Sequence, residues 1–175
     1  METNITKNEI VEMCFIELIK PKENLVLYPY FATRKEKEKN IATIGYGSCF
    51  YEDGRRVQIT DAPITNERAL DLVKAILFES LDRMLSLITQ EVSKKLTKLQ
   101  LVGMLSFYYN IGHGRFKESS FLQSLNSNDF ETASKNFLKY RFQDGKIMPG
   151  LRVRRLREKK FFDNLYTPRR GRNSK

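Results

Sequence analysis

One histidine, two cysteines and no long apolar run set the first limits on this 175-residue chain. With His113 alone, and with Cys14 and Cys49 far apart, the sequence holds neither a metal-ligand cluster nor a triad built on a serine or cysteine. No metal and no cofactor is expected. The two cysteines make no disulfide framework, and in a reducing compartment both are expected as free thiols. No stretch approaches about eighteen uncharged apolar residues, and residues 1–9 are polar, so neither a membrane span nor a secretory signal is expected. Gly45-Tyr46-Gly47 lacks the third glycine and following helix of a dinucleotide loop, and its neighbours suit a tight, twisted hairpin. Internal repeats and linkers are also missing, which leaves one compact domain, 41% hydrophobic, with enough core to stand without disulfides.

What is present in excess is positive charge, +10 overall, and it is unevenly placed. From Lys139 onward there are 13 Lys and Arg against 3 Asp and Glu, while residues 1–138 hold 18 of each. A basic end of this kind favours an anionic partner: nucleic acid, membrane phosphate or an anionic wall polymer. A basic nucleic-acid-binding protein is therefore the rival of a different class, with pI about 9.6. No nucleic-acid fold signature accompanies the charge, so no nucleic acid is expected as partner.

Apolar spacing of three and four predicts a helix over residues 9–20, stopped at Pro21. The charged run 33–40 predicts a solvated loop, and 42–51 with 56–59 predict a hairpin turning at Asp53-Gly54. Thr65 can cap a long helical stripe from Leu70 to Leu96, in one helix or two. Residues 99–111 are nearly all apolar and read as a central buried helix ending at Gly112. A short helix over 120–125, another opened by Asn128 with Glu131 as capping partner, and a last helix over 151–164 complete the pattern. Arg154, Arg155 and Glu158 read most simply as a salt-bridged, solvated helix face, or as a source of attraction to an anionic wall or lipid.

Glu23 precedes Leu27 and Tyr30, and Thr43-Ile-Gly-Tyr-Gly47 follows twenty residues after Glu23. Ile64-Thr65 with Glu67 and Ala69 comes next, then 105–112, Phe116, 119–126, and Gly150-Leu151 with Arg154-Arg155 and Glu158. These blocks, in this order over about residues 16–162, resemble the phage-type lysozyme family of glycoside hydrolases. The resemblance implies a mainly helical α+β, lysozyme-like fold, with a small N-terminal β-hairpin or sheet beside a helical bundle around a central buried helix. The expected organisation is a single domain over 1–166, with a β lobe at about 24–60 and a helical lobe at about 65–164. Residues 167–175 are expected to be a disordered basic tail.

The same resemblance implies a peptidoglycan hydrolase that cleaves the β-1,4 bond between N-acetylmuramic acid and N-acetylglucosamine, a monomeric phage endolysin. It would be made in the host cytoplasm and act on the wall after release. Glu23 would protonate the glycosidic oxygen, which requires a raised pKa supplied by desolvation near Leu27 and Tyr30. Thr43 would hold the attacking water. The family's second acidic residue, about nine positions after the first, is replaced here by Ala32, and the histidine after the second glycine is replaced by Ser48. Glu38, or else Glu36, on the charged run is the candidate to take the acid's place. If neither does, Glu23 alone would give a lytic transglycosylase, or the chain would be an inactive glycan-binding relative. Tyr109 and Asn110 are the candidate saccharide contacts.

Overall fold

Threonines start the helices up to residue 111. The computed structural model describes residues 6–143 and 145–167. Thr6 accepts from Glu9 N while the Glu9 carboxylate returns to Thr6 N, a capping box that opens α1, Lys7–Cys14. The helix continues as a π-type turn, Phe15–Ile19, and the chain leaves it just before Pro21. Thr65 caps α3, Asn66–Leu85, and Thr97 with Gln100 forms a second capping box on α5, Lys98–Ile111. Between these lie β1, Val26–Tyr30; α2, Arg34–Glu38; β2, Thr43–Gly45; and the short α4, Gln90–Ser93. After α5 come α6, His113–Lys117; α7, Ser120–Asn126; α8, Phe130–Asn136; a small hairpin of β3, Phe142–Gln143, and β4, Lys146–Ile147; and α9, Pro149–Phe162.

The helical lobe is built round α5, whose residues Val102 to Tyr108 are all buried. Phe107 sits at its centre, with the rings of Phe116, Phe121, Phe137 and Tyr140 all within 6 Å, centroid to centroid. Helix α3 joins this core to the β lobe. Ala69, Val73, Leu77, Leu81 and Met84 face the large core, whereas Leu72 packs with Ala42, Ile44, Tyr51 and Val57 beneath the small sheet. One helix therefore fixes the position of β2 relative to α5.

Helices α5 and α9 approach each other closely, and a glycine makes it possible. A Cβ at Gly103 would meet the Glu158 carbonyl at 2.6 Å and Phe161 Cβ at 3.0 Å, both on the partner helix. Gly103→Ala is accordingly expected to destabilise the protein by about 1–3 kcal/mol, as overpacking does. Chemical denaturation with urea checks it: the midpoint falls with little change in slope.

Four expectations need correction. The hairpin predicted from 42–51 and 56–59 is reduced to one isolated bridge, Phe50 to Arg56; β2 pairs instead with β1, antiparallel, with Tyr30 opposite Thr43 and Val26 opposite Gly45. The predicted loop 33–40 contains α2, because Thr33 and Glu36 close a capping box. The cap before α8 is Asp129, which accepts from Thr132 N at 2.9 Å, while Asn128 takes φ 61 and turns the chain. Arg154, Arg155 and Glu158 are buried rather than solvated. The helical stripe after Thr65 resolves into α3 and α4, and the twisted Gly45-Tyr46-Gly47 hairpin is present, with both glycines at positive φ. The expected tail, from residue 168 on, lies outside the described residues.

Candidate active site

Glu23 is placed by the end of the first helical segment. The N–H groups of Lys22 and Glu23 both donate to the Ile19 carbonyl at 2.9 Å, so the chain turns tightly before entering β1. Its side chain is 26% exposed, and its two carboxylate oxygens have different surroundings. Oε1 accepts from Arg154 Nη1 at 2.6 Å, and Oε2 faces the backbone of Gly47. A Cβ at position 47 would stand 3.3 Å from that oxygen, and the φ of +91° is one that L side chains rarely adopt. Glycine thus leaves the space in front of Oε2 open.

Arg154 belongs to a buried ionic group on α9. Glu158 is fully buried; its Oε1 accepts from Arg154 Nε at 3.2 Å, from Arg155 Nη2 at 2.9 Å and from Ser106 Oγ on α5 at 2.8 Å, while its Oε2 pairs with Arg155 Nε at 2.7 Å. Two arginines and two carboxylates, Glu23 included, balance in charge. Burial alone would lower Arg154, but the charges of Glu158 and Glu23 outweigh it and hold the guanidinium above its ordinary range. Burial dominates for Arg155 and lowers it, and the same burial raises Glu158 against the pull of both arginines. Arg155 also lies over the Phe107 ring, 4.8 Å from its centroid.

Thr43 is buried in β2, opposite Tyr30, and its hydroxyl lies 3.6 Å from the Cys49 thiol. Burial, then the negative charges of Glu23 and Glu36, push the Tyr30 phenol up. Glu36 is half-buried, with Oε2 accepting from Thr33 N at 2.8 Å. Glu38, two residues on, is exposed and paired with Arg34 at 3.1 Å. Tyr109 is half-buried and donates to the Tyr46 carbonyl at 3.1 Å, tying α5 to the Gly45-Tyr46-Gly47 turn. Burial raises its phenol. Asn110 is exposed at the end of α5 and accepts from Arg155 Nη2 at 2.9 Å.

The structure therefore gathers Glu23, Tyr30, Thr43, Cys49 and Tyr109 at the junction of the two lobes, with Glu36 at the edge and Glu38 facing away into an ion pair. The sequence reading missed Arg154 as the partner of Glu23. The signal was the spacing of Arg154, Arg155 and Glu158, which at three and four residues share one helix face with buried Phe161 and Phe162.

This arrangement has relatives. The family model described as phage lysozyme matches residues 25–158, taking in Thr43, Arg154 and Glu158 and beginning just after Glu23. The chain belongs to the phage lysozyme family. An endolysin of Bacillus phage B103 is 35% identical over 147 residues, which is 84% of this chain and 51% of that protein. An endolysin of Bacillus phage PZA is 32% identical, over 88% of this chain and 55% of that protein. The chain thus spans about half the length of these Bacillus-phage relatives. Among solved structures, a P22 lysozyme variant matches with a TM-score of 0.63 and 29% identity, covering 90% of this chain and 97% of that one. The endolysin of Escherichia coli O157:H7 phage FAHEc1 matches with a TM-score of 0.70 at 22% identity, over 97% and 99% of the two chains. The fold of this phage lysozyme family member is accordingly the lysozyme-like one, mainly helical with a small β lobe.

Proposed function

We propose that this member of the phage lysozyme family is a muramidase: a single lysozyme-like domain, over about 1–166, that hydrolyses the β-1,4 bond between N-acetylmuramic acid and N-acetylglucosamine in bacterial peptidoglycan. The observation that carries the reading is the split environment of Glu23. One oxygen is anchored by Arg154, and the other opens over Gly47 toward the lobe junction, where a leaving-group oxygen can take its proton. Glu23 is the general acid of this proposal. Thr43 positions the attacking water, and Tyr109 and Asn110 contact the saccharide.

The place of the missing acid at Ala32 falls to helix α2. The sequence favours Glu38, but its exposure and its Arg34 partner leave it a solvated residue, and the half-buried Glu36 is the better candidate. In an inverting glycosidase the two carboxyls stand about 6.5–9.5 Å apart, leaving room for the water. Release of soluble fragments from purified peptidoglycan tests this. Glu36→Gln keeps the cap on Thr33 and is expected to slow release by roughly a hundredfold, as loss of a general base does. Glu38→Gln is expected to change it less than about threefold, since an exposed pair contributes little. Equal rates for both variants and the native chain would remove the second carboxylate from the reading. DNA binding without any fragment release would favour the nucleic-acid alternative instead.

The proposed setting is phage lysis: a monomer made in the host cytoplasm that reaches the wall on release. The positive charge after Lys139 supports an anionic partner at that end of the molecule, for which wall polymers and membrane headgroups are the two sources.

A further inference from the structure

Apolar side chains are exposed together in one region far from Glu23 in sequence and on the outer side of α9. Phe142 and Ile147 are cross-strand partners in the β3–β4 hairpin, so they share a face, and they are 43% and 50% exposed. Val153 and Leu156, 45% and 41% exposed, are three residues apart on the outward stripe of α9 and therefore adjacent. The two elements meet across a depression of about 330 Å³ lined by Leu138, Arg141, Ile147, Arg152 and Leu156. Arg154, Arg155 and Glu158 occupy the opposite, buried face of the same helix.

This stretch of the chain is also dense in cations. Elsewhere on the surface some cations are paired, Lys7 with Asp82, Arg68 with Glu52, Lys95 with Glu91 and Lys135 with Glu131, while others, such as Lys20, Lys37 and Arg115, have no ion-pair partner among the described residues. Among the described residues, Lys139, Lys146, Arg152, Arg157 and Lys160 have no ion-pair partner. Arg141 lies over the Phe142 ring, 5.1 Å from its centroid. An apolar patch rimmed by unneutralised cations is unusual for a surface that meets only water.

We propose that this face, the β3–β4 hairpin with the outward stripe of α9, docks on an anionic phospholipid bilayer. Lysine and arginine meet the headgroup phosphates, and Phe142, Ile147, Val153 and Leu156 enter the boundary between headgroups and acyl chains. The apolar side chains favour a bilayer over a soluble polyanion, for which cations alone would suffice. Docking leaves the lobe junction with Glu23 free, because Arg154 points from the other side of the helix. The proposal is independent of the muramidase reading.

Co-sedimentation of the full chain with vesicles tests it. Binding is expected to vesicles of phosphatidylglycerol mixed with phosphatidylcholine, and to be much weaker with phosphatidylcholine alone. The double variant Ile147→Asp/Leu156→Asp is expected to lose roughly tenfold or more in affinity, while fragment release from purified peptidoglycan and the thermal midpoint stay at native values. Ile147→Ser/Leu156→Ser repeats the test without added charge should the first variant unfold. Absence of native binding to the anionic vesicles, native affinity in the folded variants, or binding to soluble polyglycerol phosphate as tight as to vesicles would each overturn the proposal.

Discussion

Glu23→Gln is expected to lower fragment release from peptidoglycan by about 10²- to 10⁴-fold, the range that removal of a general acid produces. Glutamine keeps the shape of the side chain, and its carbonyl can still accept from Arg154 Nη1, so the contact that holds the residue survives. What disappears is the carboxyl that, in the proposed reaction, gives its proton to the leaving oxygen. Arg154 retains Glu158 as partner but loses one charged hydrogen bond, so the stability loss should be about 1.5–3 kcal/mol, smaller than that of removing Glu158. The two measurements belong together: rate on purified peptidoglycan, and unfolding followed by circular dichroism. Native turnover in the variant would refute the assignment of Glu23.

The largest effect on stability is expected from Glu158→Ala. This carboxylate is fully buried and balances two buried arginines, one of which is shared with Glu23. Removing it leaves Arg155 without its counter-ion and Ser106 Oγ without its acceptor. Breaking a buried pair from one side costs about 3–5 kcal/mol, because an uncompensated charge remains in the interior. For a chain of this size that corresponds to a fall in thermal midpoint of roughly 6–20 °C. Activity should fall as well, below the midpoint, because Arg154 is no longer fixed on its Glu23 side by an anchor on the other. Glu158→Gln, which keeps a hydrogen-bond acceptor, should lose less. A midpoint unchanged in the alanine variant would mean that the ionic group is not what holds α9 against α5.

The helical part of this fold is written locally. Thr65 announces a helix start, Thr6-x-x-Glu9 and Thr97-x-x-Gln100 carry the same signal though the sequence reading did not use it, and the apolar run from Leu99 to Ile111 supplies the buried centre over Val102 to Tyr108. The β lobe is not local in the same way. Asp53-Gly54 is a strong turn signal, and it draws the eye to a hairpin with its immediate neighbours; Tyr30 instead pairs with Thr43 across the inserted helix α2. Strand pairing is decided by which face can pack on Leu72 of α3, and that is a property of the folded chain. Asn128 and Asp129 are both competent caps, and the left-handed turn that only one of them must take decides between them.

Within the proposed site, Glu23 and Thr43 are legible as functional candidates through the resemblance of their blocks to the family's. Arg154 and Glu158 are not, for a physical reason. Charged residues are normally solvated, and a buried ionic group becomes affordable only when all four members meet, one of them 131 residues away from Arg154. The run 33–40 shows the reverse case: its charges hide a capping box that turns Glu36 inward and Glu38 outward. Cys49 carries no spacing signal at all, and only the fold brings its thiol to Thr43.

Mass spectrometry of the fragments released from purified peptidoglycan tests the central claim most directly. Hydrolysis through Glu23 with an activated water predicts disaccharide-peptides ending in a reducing N-acetylmuramic acid, one water heavier than the cyclised form. Fragments ending in anhydro-N-acetylmuramic acid, or no fragments from a folded chain, would contradict it.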